Sequence, residues 1–130
     1  MTAYRLLLVE DSEFMTERVT SHLEADHGFV VDSVSTVATA QSSLQSTVYD
    51  CIIVNHDLPD GTGIDLVESI TGEGGRPSVP VVLLSGTPLE TLAEAGLNAG
   101  VSAFVSKHND VSESMDIFAN RIRLAIEADG

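Results

Sequence analysis

Three short runs, RLLLV (Arg5 to Val9), CIIV (Cys51 to Val54) and VVLL (Val81 to Leu84), are almost wholly apolar and are bounded by polar residues. A strand with one wet face alternates apolar and polar side chains, so continuous runs of this length point to parallel strands covered on both faces. Phe29 to Val34 and Val101 to Val105 complete a set of five. Parallel neighbours need crossover connections, and the intervening segments carry helical spacing: Met15, Val19, Leu23; Val37, Ala40, Leu44; Ile64, Val67, Ile70; Leu89, Leu92, Ala95; Met115, Phe118, Ile122, Ile126. Five strands and five helices with right-handed crossovers predict a three-layer α/β/α sandwich.

Local chemistry punctuates the pattern. Ser12, Thr62 and Thr87 can cap orphan amides, Pro88 fits a first helical turn, and Gly96 and Gly100 loosen or end the fourth helix. Gly72 to Val79 (GEGGRPSV) reads as a mobile connection. With 43% hydrophobic residues and no domain linker, residues 1–130 are expected to form one domain with a real core. Cys51, the single cysteine, excludes a disulfide framework and is expected to be buried and inert. No apolar run approaches the roughly 18 to 20 residues that span a bilayer, and the N-terminal stretch turns acidic too early for a secretory signal. A soluble, cytoplasmic protein is expected.

Twenty acids against six basic residues give a formal charge of −14, which repels nucleic acid and anionic membrane. Cations and basic protein surfaces are the expected partners. The acids are scattered along helix faces, and arginine supplies five of the six positive charges, a pattern that fits a salt-adapted, halophilic surface. Lys107 is the one lysine.

In an open parallel sheet, ligands bind outside the carboxyl ends of the strands. Here those ends carry Glu10-Asp11, Asn55-His56-Asp57, Ser85-Gly86-Thr87 and Ser106-Lys107-His108. Adjacent carboxylates need a counter-ion, and hard oxygen ligands suit Mg²⁺.

In that order and spacing, LLLVEDS, IIVNHDLPDGTGIDL, VPVVLLSG and AGVSAFVSK resemble the receiver domains of two-component response regulators over essentially the whole chain. The resemblance implies a flavodoxin-like (βα)5 fold with sheet order 2-1-3-4-5, and a signalling module rather than an enzyme. It makes Glu10 and Asp11 the Mg²⁺-binding acids, with Asn55 and the Asp57 carbonyl completing the metal site. It makes Ser85 the hydroxyl that bonds a phosphoryl oxygen, Lys107 its pairing cation, and Phe104 the aromatic whose rotamer reports activation. Implied partners are a histidine kinase or phosphotransfer protein, or an output domain or protein, through the helix 4–strand 5–helix 5 face, and a homodimer is compatible with the same resemblance.

Two positions depart from the family. Its acceptor aspartate lies four residues before the loop proline, here Pro59, so the acceptor position is Asn55. An amide oxygen is a poor nucleophile and leaves no stable acyl phosphate. Loss of one negative charge also weakens divalent affinity, so Mg²⁺ is expected to bind weakly or not at all. This is the pattern of a pseudo-receiver or a silenced variant: either the chain works through constitutive contacts, or an acceptor aspartate has been replaced so as to hold the inactive state. Asp57 shares the strand face of Asn55, but as acceptor it would need a loop two residues shorter. His56 is expected to face the other way and to be partly covered. His108 replaces the usual proline after the lysine, which makes a trans bond the expectation there. His22 and His27 read as surface helix and turn residues without metal-ligand spacing.

Two other classes are weaker. A phosphatase or phosphotransferase of the haloacid dehalogenase type needs a second aspartate two residues after the first, where this chain has Glu13. A flavin carrier would want a phosphate cradle after the first strand, where EDSEF would repel phosphate.

Overall fold

The apolar runs alternate sides of one sheet, and that alternation builds two cores. In the computed structural model, Leu6, Leu8, Ile53, Val82, Leu84 and Val105 pack on one face with Val19, Leu23, Phe118 and Ile122. Leu7, Val9, Ile52, Val54, Val81 and Leu83 pack on the other with Val37, Ala40, Leu66, Val67 and Ala99. The structure describes residues 3–71, 77–86, 89–106 and 115–129, with side chains from 94 onward in the fourth helix and over 116–128 in the fifth.

The order of elements is β1 (Arg5–Val9), α1 (Glu13–His27), β2 (Val30–Val34), α2 (Val37–Ser46), β3 (Cys51–Asn55), β4 (Asp57–Leu58), β5 (Gly61–Thr62), α3 (Gly63–Ser69), β6 (Val81–Ser85), α4 (Leu89–Ala99), β7 (Ala103–Ser106) and α5 (Met115–Asp129). Five strands form one parallel sheet in the order β2-β1-β3-β6-β7. Helices α1 and α5 cover one face and α2, α3 and α4 the other, so the α/β/α sandwich is confirmed. The expected numbering of five strands is corrected by an antiparallel ribbon, β4 with β5, inserted between β3 and α3. The fourth and fifth sheet strands are therefore β6 and β7.

The three central strands are fully or almost fully buried, and truncating any of their leucines or isoleucines to alanine should cost about 2–5 kcal/mol. Helix ends follow their caps. Ser12 accepts from the Met15 amide at 3.3 Å, Thr36 and Thr39 form a capping box, and so do Thr62 and Asp65. Gly28, at φ 71°, closes α1 in the left-handed conformation that a side chain would resist. Gly96 lies inside α4 rather than at its end; Gly100, at φ 97°, ends that helix. Cys51 is buried. Thr87, Pro88 and most of the Gly72 to Val79 connection lie outside the described residues. Among the described residues no helix is long and apolar enough to cross a membrane.

Candidate functional site

Strand order carries the chemistry to one edge. β1 lies between β2 and β3, with Val9 opposite Val54, so the next residues, Glu10 and Asn55, meet at the carboxyl end. Glu10 and Asn55 are only 3% and 4% exposed, and Ser85, which ends β6 one residue past the register partner of Asn55, is 1% exposed. Asp11 stands at the exposed rim, beside an open cleft of about 560 Å³ lined by Glu13, Thr16, Glu17 and Ser33.

The Asn55 side chain is the centre of this arrangement. Its Nδ2 lies 3.1 Å from Glu10 Oε2, 3.3 Å from Asp11 Oδ1 and 2.7 Å from the Asp57 carbonyl, so its two protons serve three acceptors and one of them is shared. All three neighbours are acceptors, which fixes the nitrogen rather than the oxygen toward them. The Ser12 amide adds a further donor to Glu10 Oε2 at 3.1 Å. Hydrogen bonds to charged acceptors contribute roughly 1.5–3 kcal/mol each, so the amide offsets much of what burying Glu10 costs.

These three oxygens are the ones that the family resemblance implies for Mg²⁺. In this arrangement the amide directs a donor, not a ligand oxygen, at them.

The loop after Asn55 is pinned on three sides. Pairing of Asp57 with Thr62 and of Leu58 with Gly61 closes the ribbon. Asp60 reaches across to the start of α2 and accepts from the Val37 and Ala38 amides at 2.8 and 3.1 Å, which hold its carboxyl below the usual carboxylate range. At Gly63 a Cβ would lie 2.7 Å from the Asn55 carbonyl oxygen and 2.9 Å from Leu83 Cδ1, so only glycine lets α3 begin this close to β3. None of these three supports was read from sequence. Gly63 and Asp60 belong to the quoted loop motif, but what they touch depends on the ribbon.

Asp57 is exposed, and only its carbonyl joins the centre. His56 is partly covered, with Nδ1 buried and without a hydrogen-bond partner among the described residues. Glu13, where the phosphatase reading needs an aspartate, is exposed on the first turn of α1. Phe104 is half-buried on β7 and packs against α4, where a Cβ at Gly96 would come within 2.6 Å of its Cε1. Arg121 donates to the Phe104 carbonyl at 3.1 Å and so ties the strand to α5. Lys107 and His108 lie outside the described residues.

Comparison with known proteins gives a consistent family. Residues 6–119 match the response regulator receiver domain. The photosynthetic apparatus regulatory protein RegA of Cereibacter sphaeroides is 32% identical over 108 residues, 83% of this chain and 57% of that protein. The phosphate regulon transcriptional regulatory protein PhoB of Escherichia coli is 30% identical over 105 residues, 81% of this chain and 45% of that protein. The chain thus spans about half the length of these curated relatives. Among solved structures, the phosphorylated cyanobacterial phytochrome response regulator RcpA superposes with a TM-score of 0.82 at 18% identity, covering 98% of this chain and 96% of that one.

Proposed function

Because this chain belongs to the response regulator receiver domain family, whose members act in two-component signal transduction, we propose that residues 1–130 form one receiver domain whose acceptor position, Asn55, takes no phosphoryl group. One observation carries the reading: the Asn55 amide hydrogen-bonds to Glu10, Asp11 and the Asp57 carbonyl at once. Asn55 stands where the family's acceptor stands, and its nitrogen has no carboxylate lone pair to attack phosphorus. The three oxygens already have a donor, so Mg²⁺ binds weakly or not at all. Ser85, Phe104 and Lys107 keep the family's residue types at their positions. The module then signals by constitutive contact with a kinase, phosphotransfer protein or output partner through the face formed by α4, β7 and α5. Direct contact with nucleic acid or membrane is disfavoured by the charge of −14. Output lies in another segment or in a partner, and the setting is cytoplasmic and salt-rich.

The test is incubation with acetyl phosphate and Mg²⁺, followed by intact-mass spectrometry. The chain should stay unmodified. In Asn55→Asp a carboxylate oxygen attacks phosphorus, the bond from phosphorus to the acetate oxygen breaks, and acetate leaves with the electron pair; a base-labile adduct at residue 55 should appear. Phosphate uptake by the unaltered chain at Asp57 would reject the assignment of the acceptor position. For the salt-adapted surface, the thermal midpoint should climb from dilute buffer to molar KCl, and equal midpoints would remove that reading.

A further inference from the structure

At the far end of α1, His22 and His27 face one carboxylate, Asp116, delivered by the first turn of α5. His27 Nε2 lies 2.9 Å and His22 Nε2 3.5 Å from Asp116 Oδ1, the imidazole centroids are 5.4 Å apart, and the candidate ligand atoms all lie within 4.8 Å of one another. We propose that His22, His27 and Asp116 form a binding site for a borderline divalent transition metal, with Zn²⁺ as the type ion, that staples α1 to α5.

The donor set is two imidazoles and a carboxylate, which suits Zn²⁺ and not the all-oxygen preference of Mg²⁺. Zinc bonds of about 2.0–2.1 Å in a tetrahedron place ligand atoms roughly 3.3 Å apart; the two histidine–aspartate separations of 2.9 and 3.5 Å already lie within tenths of an ångström of that, and the two imidazole nitrogens, within 4.8 Å of each other, close on the ion by side-chain rotation. Asp116 is 77% exposed, which leaves a side open for a water as fourth ligand. Support behind the first ligand is already built: Asp26 Oδ2 lies 2.9 Å from His22 Nδ1, the carboxylate–imidazole arrangement that keeps a proton on the outer nitrogen and turns the other lone pair toward the metal. The surface charge also draws cations here.

Arg123 opposes the ion. Its Nη2 sits 3.1 Å from His27 Nδ1 and 3.3 Å from the His27 carbonyl, so in the metal-free arrangement Nδ1 accepts and Nε2 donates to Asp116. When the ion takes Nε2, the ring proton moves to Nδ1, and Arg123 keeps only the carbonyl and its stacking on Phe29, 4.9 Å from the ring centroid. Arg123 is thus a competitor, and removing it should tighten binding.

Calorimetric titration of the full chain with ZnCl₂ in Mg²⁺-free buffer should give one saturable site, and Co²⁺ in its place should develop visible bands of a tetrahedral complex. His22→Gln, His27→Gln and Asp116→Asn should abolish both signals, Asp26→Asn should weaken affinity by about tenfold, and Arg123→Met should strengthen it. Circular dichroism of each variant separates loss of a ligand from loss of fold. Asp11→Asn should leave the titration unchanged. The proposal is overturned if no saturable binding appears at micromolar Zn²⁺, if the histidine variants bind as the parent does, or if Asp11→Asn alone removes binding.

Discussion

At its N-terminal end α1 rises from a pocket where two acids and a carbonyl converge on the Asn55 amide; at its C-terminal end it presents His22 and His27 to Asp116. Both ends gather groups suited to a cation, but they are filled differently. In the pocket, a neutral donor supplied by the chain stands among the oxygens, and its bond to Glu10 is buried. At the histidine end the shared acceptor is the mostly exposed carboxylate of Asp116, and the ring nitrogens that face it can exchange a proton for an ion. On the two proposals together, the presence of a protein donor among the oxygens, rather than the number of acidic residues, decides where a cation binds.

The largest effect that would break this comparison is expected at residue 55. Asn55→Leu keeps the branched shape but removes the donor, leaving Glu10 buried beside Asp11, and should cost about 3 kcal/mol in urea unfolding. Asn55→Asp should be destabilised in chelator and regain stability with added Mg²⁺, whereas the parent should be indifferent to it. Equal stability of the leucine variant and the parent would show that the amide does not hold the acids together. Gly63→Ala comes next: its Cβ would press on the Asn55 carbonyl and Leu83, and overpacking of this kind costs about 1–3 kcal/mol. A crystal structure of that variant with the Asn55 hydrogen bonds unmoved would separate backbone strain from pocket geometry.

The smallest effect belongs to the histidine end. Asp116 is held below the usual carboxylate range by its hydrogen bond to His27 and then by that to His22. A depressed native value contributes stability that is complete above the unfolded carboxyl value and is lost as the pH falls through the lower native one. Acid titration of the parent and Asp116→Asn at low salt should therefore show a slightly shallower loss for the variant, and the difference should vanish in molar KCl. A difference that persists in salt would mean that this end is as shielded as the pocket.

Legibility in the sequence follows burial. β1, β3 and β6 are covered on both faces, so their runs give their starts directly; the edge strands β2 and β7 are only partly covered, and each begins later than its apolar run, at Val30 and Ala103. The β4–β5 ribbon has two residues in each strand, too few to show any hydrophobic period. The meeting of Glu10, Asp11 and Asn55 was legible from their places at the strand ends, but the direction of the amide was not. A half-turn of that side chain leaves no trace in sequence and is set only by what surrounds it. His22 and His27 lack ligand spacing because their third partner comes from 89 positions beyond His27.

Phe104 and Gly96 have a different kind of consequence. The ring fills the volume that a side chain at position 96 would take, so helix and strand share one space and neither can change occupancy alone. Their coupling works by exclusion, and dissolved ions, which weaken attraction between charges, do not weaken the refusal of two atoms to overlap. In a chain of formal charge −14, that gives α4 and β7 a contact that added salt does not screen.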